Sequence, residues 1–408
     1  MRFLHTSDWH LGRSFHQVGL LDAQAAFIDH LVETVRTERV DAVLVSGDVY
    51  DRALPAPPTV DLLSEALCRL HDAGATVVLS SGNHDSAIRL GFASRLLETA
   101  GVHVRTSIEG ITRPVELPGA RVFALPYLEP AVASAALEAE QRTHQAVLGS
   151  ALARVAQVAD PTTRTVVMAH AFVSGAVSSD SERDIAVGGV SAVPLDLFDH
   201  VDYAALGHLH RPQLLSEHVR YSGSPLAMSF SEAGQTKSSW LVDLSTDGRG
   251  ADHVVAVPTP VHRPLAVVRG TLDELLRGPQ HAHAESAYVQ AVLTDPARPL
   301  GALDRLLARF PHLLQLTFEP AGAPASRARS ELQVSTRTRL ELCSDFLAHV
   351  RGGAGPTPAE GEILREAIEA TRPEHLDEPS VAVSAPAPAR AQADLQAVQT
   401  SLFDHEVA

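Results

Sequence analysis

Short polar motifs follow the apolar runs of this chain, and their placement constrains its fold more than any other feature. Four of the five motifs come directly after a run such as RFLHTS or DAVLVS, and such runs are typical of buried strands. Ligand sites form at the carboxyl ends of strands in open α/β sheets, so we expect the motifs to meet at one sheet edge. The motifs are Asp8-Trp9-His10, Gly47-Asp48 with Asp51, Gly82-Asn83-His84-Asp85, His170, and Gly207-His208-Leu209-His210.

Strands and helices alternate through the first half of the chain, which predicts a layered α/β fold. Amphipathic stretches between the apolar runs predict helices near Leu20–Thr37, Thr59–Ala73, Ser86–Ala100 and Leu137–Ala159. After Val201 the segments become shorter, and their pattern favours antiparallel sheet.

Composition predicts four regions along the chain. We expect residues 1–260 to form the main α/β unit, and residues 261–330 to form a small α+β unit bracketed by proline and by a Gly/Pro/Ala/Ser stretch. Residues 331–372 contain two short amphipathic helices, near Arg339–Val350 and Pro358–Ala370. Residues 373–408 are rich in Ala, Pro, Gln and Ser, and we expect a disordered tail because they cannot bury enough apolar surface to offset the entropy of ordering.

The polar motifs hold seven potential metal ligands. Asp8 and His10 are two residues apart, as are His208 and His210, so in extended backbone each pair lies on one side. With Asp48, Asn83 and His170 these are enough for two metals that share one carboxylate. Carboxylate, imidazole and amide groups suit Mn, Fe or Zn. Two such ions would leave a net positive site, able to bind a phosphodiester and activate water.

Charge and cysteine content constrain the surroundings and the partners. The two cysteines exclude a disulfide framework and fit a reducing cytoplasm, and we expect neither an export signal nor a membrane span. The formal charge of −16 argues against strong autonomous binding of nucleic acid. From Pro356 onward ten acidic residues accompany three arginines, so −7 of that charge lies in the C-terminal part.

The ordered motifs resemble those of the calcineurin-like metallophosphoesterase superfamily, and more narrowly the SbcD-type bacterial nuclease subunits. The resemblance implies a four-layer sandwich of two sheets flanked by helices, with a small α+β capping domain and C-terminal helices. It covers roughly residues 1–370. The matching segments are HTSDWHLGR (5–13), GDVYDRALP (47–55), SGNHDS (81–86), SDSERDIAVGG (179–189), GHLHRPQ (207–213) and YSGSPLAMSFSE (221–232).

The resemblance also implies a role for each ligand, with manganese as the expected metal at both sites. One metal would be held by Asp8, His10, Asp48 and His210, and the other by Asp48, Asn83, His170 and His208. Asp48 would bridge the two ions. His84 would orient the scissile phosphate and stabilise or protonate the leaving 3′ oxygen, as a positioned imidazole can.

The residues beside the ligands have open alternatives. Asp51 and Asp85 could each accept a hydrogen bond from a ligating histidine. The alternative for Asp85 is that it only caps the helix that opens at Ser86. Arg13 and His16 either contact DNA or are solvated. The segment at 179–189 fits the resemblance, but its chemistry indicates no role.

Partners are implied for the C-terminal regions. The capping domain would direct DNA to the metals, and the helical pair either docks on an SbcC-type ATPase or folds back on its own domain. The peptide QTSLF near the C-terminus resembles a sliding-clamp-binding motif in which Gln399, Leu402 and Phe403 make the contacts, although so loose a pattern also recurs by chance.

The sequence therefore predicts a cytoplasmic, nucleoid-associated DNA nuclease subunit. By resemblance it would be a 3′–5′ double-strand exonuclease and single-strand endonuclease, acting as a homodimer with two ATPase subunits in DNA end processing, hairpin cleavage, recombination and repair. One rival is another phosphoesterase of this superfamily that acts on nucleotides or phosphoproteins. The other is a non-catalytic scaffold, which the complete set of ligand positions disfavours.

Overall fold

The apolar runs form strands that are buried on both faces. The computed structural model describes residues 1–182, 192–244, 251–320, 338–350 and 354–370, in two units, Met1–Ala323 and Pro324–Ala408. The described strands are β1 (Arg2–Thr6), β2 (Ser14–Phe15), β3 (Val18–Gly19), β4 (Ala42–Ser46), β5 (Thr76–Ser80), β6 (Val102–Arg105), β7 (Val115–Leu117), β8 (Ala120–Ala124), β9 (Arg164–His170), β10 (Tyr203–Gly207), β11 (Gln213–Ser216), β12 (Val219–Tyr221), β13 (Ser238–Leu244), β14 (Ala251–Pro258), β15 (Leu265–Gly270), β16 (Tyr288–Leu293) and β17 (Leu313–Phe318).

Helices cover the outer faces of the two large sheets and of a small third sheet. The described α-helices are α1 (Leu21–Glu38), α2 (Pro57–Asp72), α3 (Ala87–Leu90), α4 (Ser94–Leu97), α5 (Pro130–Leu137), α6 (His144–Val158), α7 (Leu272–Arg277), α8 (Ala302–Arg309), α9 (Arg339–Val350) and α10 (Pro358–Ala370). None of the helices in the described part of the chain has the length and apolar character of a membrane span.

Each large sheet is parallel in its centre. The first has the order β14-β13-β1-β4-β5-β6, and the second has the order β11-β12-β10-β9-β8-β7. The antiparallel prediction after Val201 is correct for β11, β13 and β14 but wrong for β10, which runs parallel to both β9 and β12. The connection from β9 to β10 is long enough for the crossover that parallel strands require.

Alternate residues of the strands fill two different cores. In β4, Val43 packs with α1 and α2, whereas Leu44 packs between the two sheets. In β9, Val167 packs with α5 and α6, whereas Met168 faces the other sheet. Full burial of such a side chain contributes about 1.5–3 kcal/mol. The layers are helix, sheet, sheet and helix, which confirms the predicted four-layer fold class.

A few buried polar contacts set the position of one sheet against the other. His5 of β1 lies 3.2 Å from the Tyr203 hydroxyl and 3.1 Å from the Leu206 carbonyl, and the Ser46 hydroxyl donates to the Ala205 carbonyl over 2.9 Å. Burial lowers the pKa of His5 to about 3, so its ring is neutral at pH 7. These contacts bring the carboxyl ends of β1, β4 and β10 together.

Two predicted helices have different bounds in the structure. The helix predicted over Leu137–Ala159 begins only at His144, with the Thr143 hydroxyl as its cap, because Leu137 instead ends α5 and Glu138 is left-handed. Instead of one helix over Ser86–Ala100, α3 and α4 are separate turns, with Ala93 left-handed between them. Between Ser86 and Ala100 the apolar spacing continues across a break that only the backbone conformation reveals.

The small sheet β15-β16-β17 is parallel and has its own core with α7 and α8. It contacts the larger body through Leu265 and Tyr288, which pack against Phe15 and Phe230. The predicted helices α9 and α10 are present in the second unit. The tail at 373–408, with Gln399, Leu402 and Phe403, lies outside the described residues.

Candidate metal centre

The predicted ligands lie in loops that leave the carboxyl ends of five central strands. Asp8 follows β1, Asp48 follows β4, Asn83 follows β5, His170 ends β9 and His208 follows β10. The loops have positive φ at Asp8 (53°), Asp48 (46°) and His208 (101°). Left-handed backbone in such residues costs about 1–3 kcal/mol and persists where the surroundings fix it.

Backbone hydrogen bonds between the loops hold this conformation. The Asp8 amide donates to the Gly47 carbonyl over 3.1 Å, and the His10 amide donates to the Asp48 carbonyl over 2.9 Å. The His208 amide donates to the Asp8 carboxylate over 3.0 Å. Two main-chain hydrogen bonds therefore tie the first loop to the second, and the Asp8 carboxylate ties the His208 loop to the first.

The imidazole Nε2 atoms converge on one carboxylate oxygen. Asp48 Oδ2 lies 3.5 Å from His10 Nε2 and 3.4 Å from His170 Nε2. On one side His10 Nε2 is 3.1 Å from His210 Nε2, and on the other His170 Nε2 is 2.9 Å from Asn83 Oδ1. Asp8 belongs to both clusters, with His10 and His210 and with Asp48 and His170. His208 stacks edge-on to His170, with ring centroids 5.3 Å apart.

The other ring nitrogens of these histidines face oxygen atoms. His170 Nδ1 lies 3.1 Å from the Ser46 carbonyl, His10 Nδ1 lies 3.4 Å from Asp51 Oδ1, and His210 Nδ1 lies 2.5 Å from the Ser181 hydroxyl. An Nδ1–H directed at oxygen leaves the lone pair on Nε2, which is the ligating tautomer. The donor set and its orientation therefore fit two divalent metal ions around a shared Asp48.

Burial sets the protonation of the site. It raises the pKa of Asp8 to about 7 and lowers that of His208 to about 3, and it holds the pKa of His210 well below its usual range. Burial opposes ionisation of both Asp48 and His170, but their mutual attraction outweighs it. The pKa of Asp48 is therefore well below its usual range and that of His170 rises to about 9. Because only a neutral imidazole ligates metal, an ion bound at His170 would displace the proton that this ring otherwise holds at pH 7.

Comparisons with known proteins agree with this geometry. The family model of the calcineurin-like phosphoesterases matches residues 1–212, a little more than half of the 408-residue chain. The chain belongs to the calcineurin-like phosphoesterase family. A second model, SbcD_C, described as the type 5 capsule protein repressor C-terminal domain, matches residues 261–351. Together the two matches identify an SbcD-type member of the family.

Two solved structures illustrate the similarity. The protein TT1561 of Thermus thermophilus is 12% identical over 64% of this chain and 99% of its own, with a TM-score of 0.39. A dimetal phosphatase from Danio rerio is 15% identical over 64% of this chain and 99% of its own, with a TM-score of 0.35.

His84, the predicted catalytic residue of this phosphoesterase, lies beside the clustered ligands and is 6% exposed. Its amide donates to Asp48 Oδ1 over 2.8 Å, and its Nδ1 lies 2.8 Å from the Asp51 carbonyl. Nε2 is 3.9 Å from Asp48 Oδ2, and the ring centroid is 4.5 Å from that of His10. The second ring nitrogen of His84 therefore points into the site.

Asp51 and Asp85 have different surroundings. Asp51 faces His10 and also accepts from Arg13 Nη1 over 3.2 Å. Asp85 accepts from the amides of Val49, Tyr50 and Gly82 over 2.9–3.0 Å, and burial raises its pKa to about 6. These three bonds tie the Asp48 loop to the Asn83 loop, so Asp85 holds backbone rather than a histidine. It does not cap α3 either, because the cap is Ser86.

Arg13 and His16 line an open groove beside the ligands. Arg13 is held by Asp51, so it is not simply solvated. His16 is exposed and stacks near Phe15 and Phe230. The groove also includes Ser229 and Ser231 of the body and, on the small sheet, Val267, Gln290 and Gln315.

The residues around His210 could not be predicted from the sequence. Ser181 and Glu182 belong to the segment 179–189, whose chemistry alone indicates no role. Residues 183–189 of this segment lie outside the described part of the chain. Both contact His210, at Nδ1 and at the backbone amide. The resemblance of this segment was a signal of importance, but no spacing indicates that a serine would face a histidine 29 residues away.

The glycines of the motifs leave space for the neighbouring loops. A Cβ on Gly207 would lie 1.8 Å from the Ser46 carbonyl oxygen. At Gly47, where φ is 81°, it would lie 2.2 Å from His170 Nδ1. The residues before Asp48 and His208 must therefore be glycine for β4, β9 and β10 to end side by side.

We expect Gly207→Ala to displace the His208 loop and to lower the free energy of unfolding by about 1–3 kcal/mol, the usual cost of overpacking. Chemical denaturation of the purified chain measures this. Gly234→Ala is the matched control, because its Cβ would meet no atom within 4 Å. Equal stability of the two variants would contradict the close packing at Gly207.

Proposed function

We propose that this phosphoesterase is a DNA nuclease subunit that hydrolyses phosphodiester bonds with two manganese ions. The observation that carries the proposal is the convergence of two buried ligand clusters on Asp48 Oδ2, with His84 directed at the same point. The match to SbcD_C over residues 261–351 supports DNA rather than a nucleotide or a phosphoprotein as substrate.

The seven predicted ligands would hold two metal ions. Asp8, His10, Asp48 and His210 would hold one ion, and Asp48, Asn83, His170 and His208 would hold the other. The described distances support both sets, since His10 Nε2 lies 3.1 Å from His210 Nε2 and His170 Nε2 lies 2.9 Å from Asn83 Oδ1, while His10 and His170 both face Asp48 Oδ2. The bound ions supply positive charge for the phosphodiester and an activated water nucleophile.

His84 acts on the leaving group. Its Nδ1–H donates to the Asp51 carbonyl, which fixes the ring and presents Nε2 to the reacting phosphate. The protonated ring can then donate from Nε2 to the leaving 3′ oxygen. Asp51 contributes twice, because its side chain faces His10 while its carbonyl orients His84.

The groove between the body and the small sheet is the proposed path of DNA. Arg13 and His16 stand on the body side near the ligands, and the polar side chains of Gln290 and Gln315 stand opposite. Residues 261–330 would thus act as the capping domain. The expected activities are 3′–5′ exonuclease on double strands and endonuclease on single strands.

The acidic chain needs a partner that grips DNA. With a charge of −16 the isolated subunit should bind DNA weakly. We propose that an SbcC-type ATPase provides most of the DNA affinity, in a heterotetramer that acts in DNA end processing and repair. In the second unit, Phe346 of α9 and Ile363 of α10 are each 65% exposed, as a helical pair that docks on another surface requires. The peptide with Gln399, Leu402 and Phe403 would add a sliding-clamp contact.

An exposed apolar patch supports a homodimer. Ile88 and Phe92 are 88% and 81% exposed and are four residues apart, followed by Leu96. Leu54 lies in the adjacent loop, where Arg89 donates to the Ala53 carbonyl. A second copy of the chain that presents the same patch would cover these side chains.

We expect Ile88→Asp/Phe92→Asp to raise the dimer dissociation constant at least about 100-fold, because each buried apolar side chain of this size contributes about 1.5–3 kcal/mol. Light scattering after size-exclusion chromatography measures the mass. Val132→Asp on α5, also well exposed but far along the chain, should leave the dimer intact. A monomeric wild-type protein at micromolar concentration would overturn the homodimer.

We expect His84→Asn to keep two metals per chain and to lose about 10²–10⁴-fold in cleavage rate, since that is the usual contribution of a positioned proton donor. Elemental analysis and plasmid cleavage in Mn(II), with a cyclic nucleotide as the alternative substrate, measure the two quantities. Asp48→Ala should lose both, and EDTA should abolish activity. His71→Asn, on the exposed side of α2, is the control.

Loss of metal in His84→Asn would instead make His84 a ligand, as its place in a cluster with His10 and Asp48 allows. Faster hydrolysis of the cyclic nucleotide than of the plasmid would contradict the proposal that the protein is a nuclease.

A further inference from the structure

Every polar atom of His210 apart from Nε2 has a partner outside the ligand cluster. Its amide donates to Glu182 Oε1 over 2.8 Å. Its carbonyl accepts from the Ser224 amide over 3.1 Å and from Lys237 Nζ over 2.7 Å. Its Nδ1 lies 2.5 Å from the Ser181 hydroxyl. Only Nε2 faces the cluster, where it lies 3.1 Å from His10 Nε2.

A buried ion pair lies beneath this arrangement. Glu232 is 1% exposed and Lys237 is 8% exposed, and the Lys237 ammonium contacts Glu232 Oε2. The other carboxylate oxygen, Oε1, accepts from the Ser181 hydroxyl over 2.5 Å and from the Ser179 hydroxyl over 3.2 Å. As the carboxylate of this ion pair, Glu232 can only accept hydrogen bonds.

The acceptor character of Glu232 fixes the direction of the whole chain of hydrogen bonds. Ser181 has one hydroxyl hydrogen and gives it to Glu232. Its oxygen must therefore accept from His210, so the proton of His210 is on Nδ1 and the lone pair is on Nε2. At His10 and His170, by contrast, Nδ1 faces a carboxylate and a backbone carbonyl directly, with no hydroxyl between them.

We propose that Ser181 and Glu232 are positioning residues for His210. They form a relay in which Glu232, anchored by Lys237, orients the Ser181 hydroxyl, and Ser181 fixes the tautomer and direction of the imidazole. The relay gives the segments 179–182 and 221–232 a common role. The inference rests on the proposed function, in which His210 ligates a metal ion.

Ser181→Ala tests the relay in the full-length chain. The substitution removes only a half-buried hydroxyl, so the fold should persist. We expect Mn(II) affinity at one of the two sites to fall about 10–100-fold, as it does when the outer partner of a ligating histidine is lost. Titration followed by the electron paramagnetic resonance of free Mn(II) measures this. In metal-free protein, ¹⁵N spectra of the His210 ring should change from the Nδ1–H tautomer to a mixture.

Two further variants and a matched control separate positioning from general damage. Ser181→Thr keeps the hydroxyl and should restore both affinity and tautomer. Glu232→Leu/Lys237→Met removes both charges together, so no isolated charge is left buried. It should also give a tautomer mixture, because Ser181 no longer has to donate to Glu232 and can either donate to His210 Nδ1 or accept from it. Ser216→Ala removes a hydroxyl 3.3 Å from Nδ1 of His218, outside the site, and should change neither readout.

His210→Ala distinguishes failure of the relay from failure of the proposed function. If this variant still binds two Mn(II) with wild-type affinity, His210 is not a ligand and the metal assignment is wrong. If it loses an ion while Ser181→Ala keeps wild-type affinity and the Nδ1–H tautomer, the relay is wrong and the metal assignment stands.

Discussion

The carboxylate of Asp48 is the point on which the rest of the site depends. It is 2% exposed, and its two oxygens are approached from three loops: the His84 amide at Oδ1, and His10 and His170 at Oδ2. An isolated buried carboxylate would be strongly unfavourable. The amide and imidazole groups around Asp48 offset this cost and allow it to stay ionised. The bridging role proposed for Asp48 follows from this position between two clusters.

The arrangement of the two sheets brings the loops of the site together. His5, Ser46 and Tyr203 connect the sheets through buried hydrogen bonds, and Gly47 and Gly207 let the ends of β4, β9 and β10 approach. Asp85 then joins the second loop to the third through three amides. The site is therefore held by main-chain contacts, while the imidazoles are oriented by a carboxylate, a carbonyl and a hydroxyl.

Local pattern was sufficient for the strands and for the ligands that follow them. An apolar run that ends in polar residues indicates both a buried strand and the sheet edge at which the strand ends. The positions of Asp8, Asp48 and Asn83 at that edge were therefore predictable from the sequence. Resemblance supplied the division into two ligand sets and the role of His84. The structure brings the predicted ligands together at one sheet edge.

Other features depend on contacts that are distant in sequence. The break between α3 and α4 occurs where Ala93 turns left-handed, although the apolar spacing continues. Asp85 bonds three amides that come from two loops, and no pattern around residue 85 indicates this. Ser181 and Glu232 reach His210 from opposite directions in the chain, so their relay is visible only in three dimensions.

Anomalous diffraction from crystals grown in Mn(II) tests the central claim most directly. The account predicts two manganese peaks about 3.5–4 Å apart, the usual spacing of a two-metal site, with Asp48 bound to both. One peak should be ligated by His10 and His210, and the other by Asn83 and His170. A single peak, or a second peak ligated by His84 in place of Asn83, would contradict it.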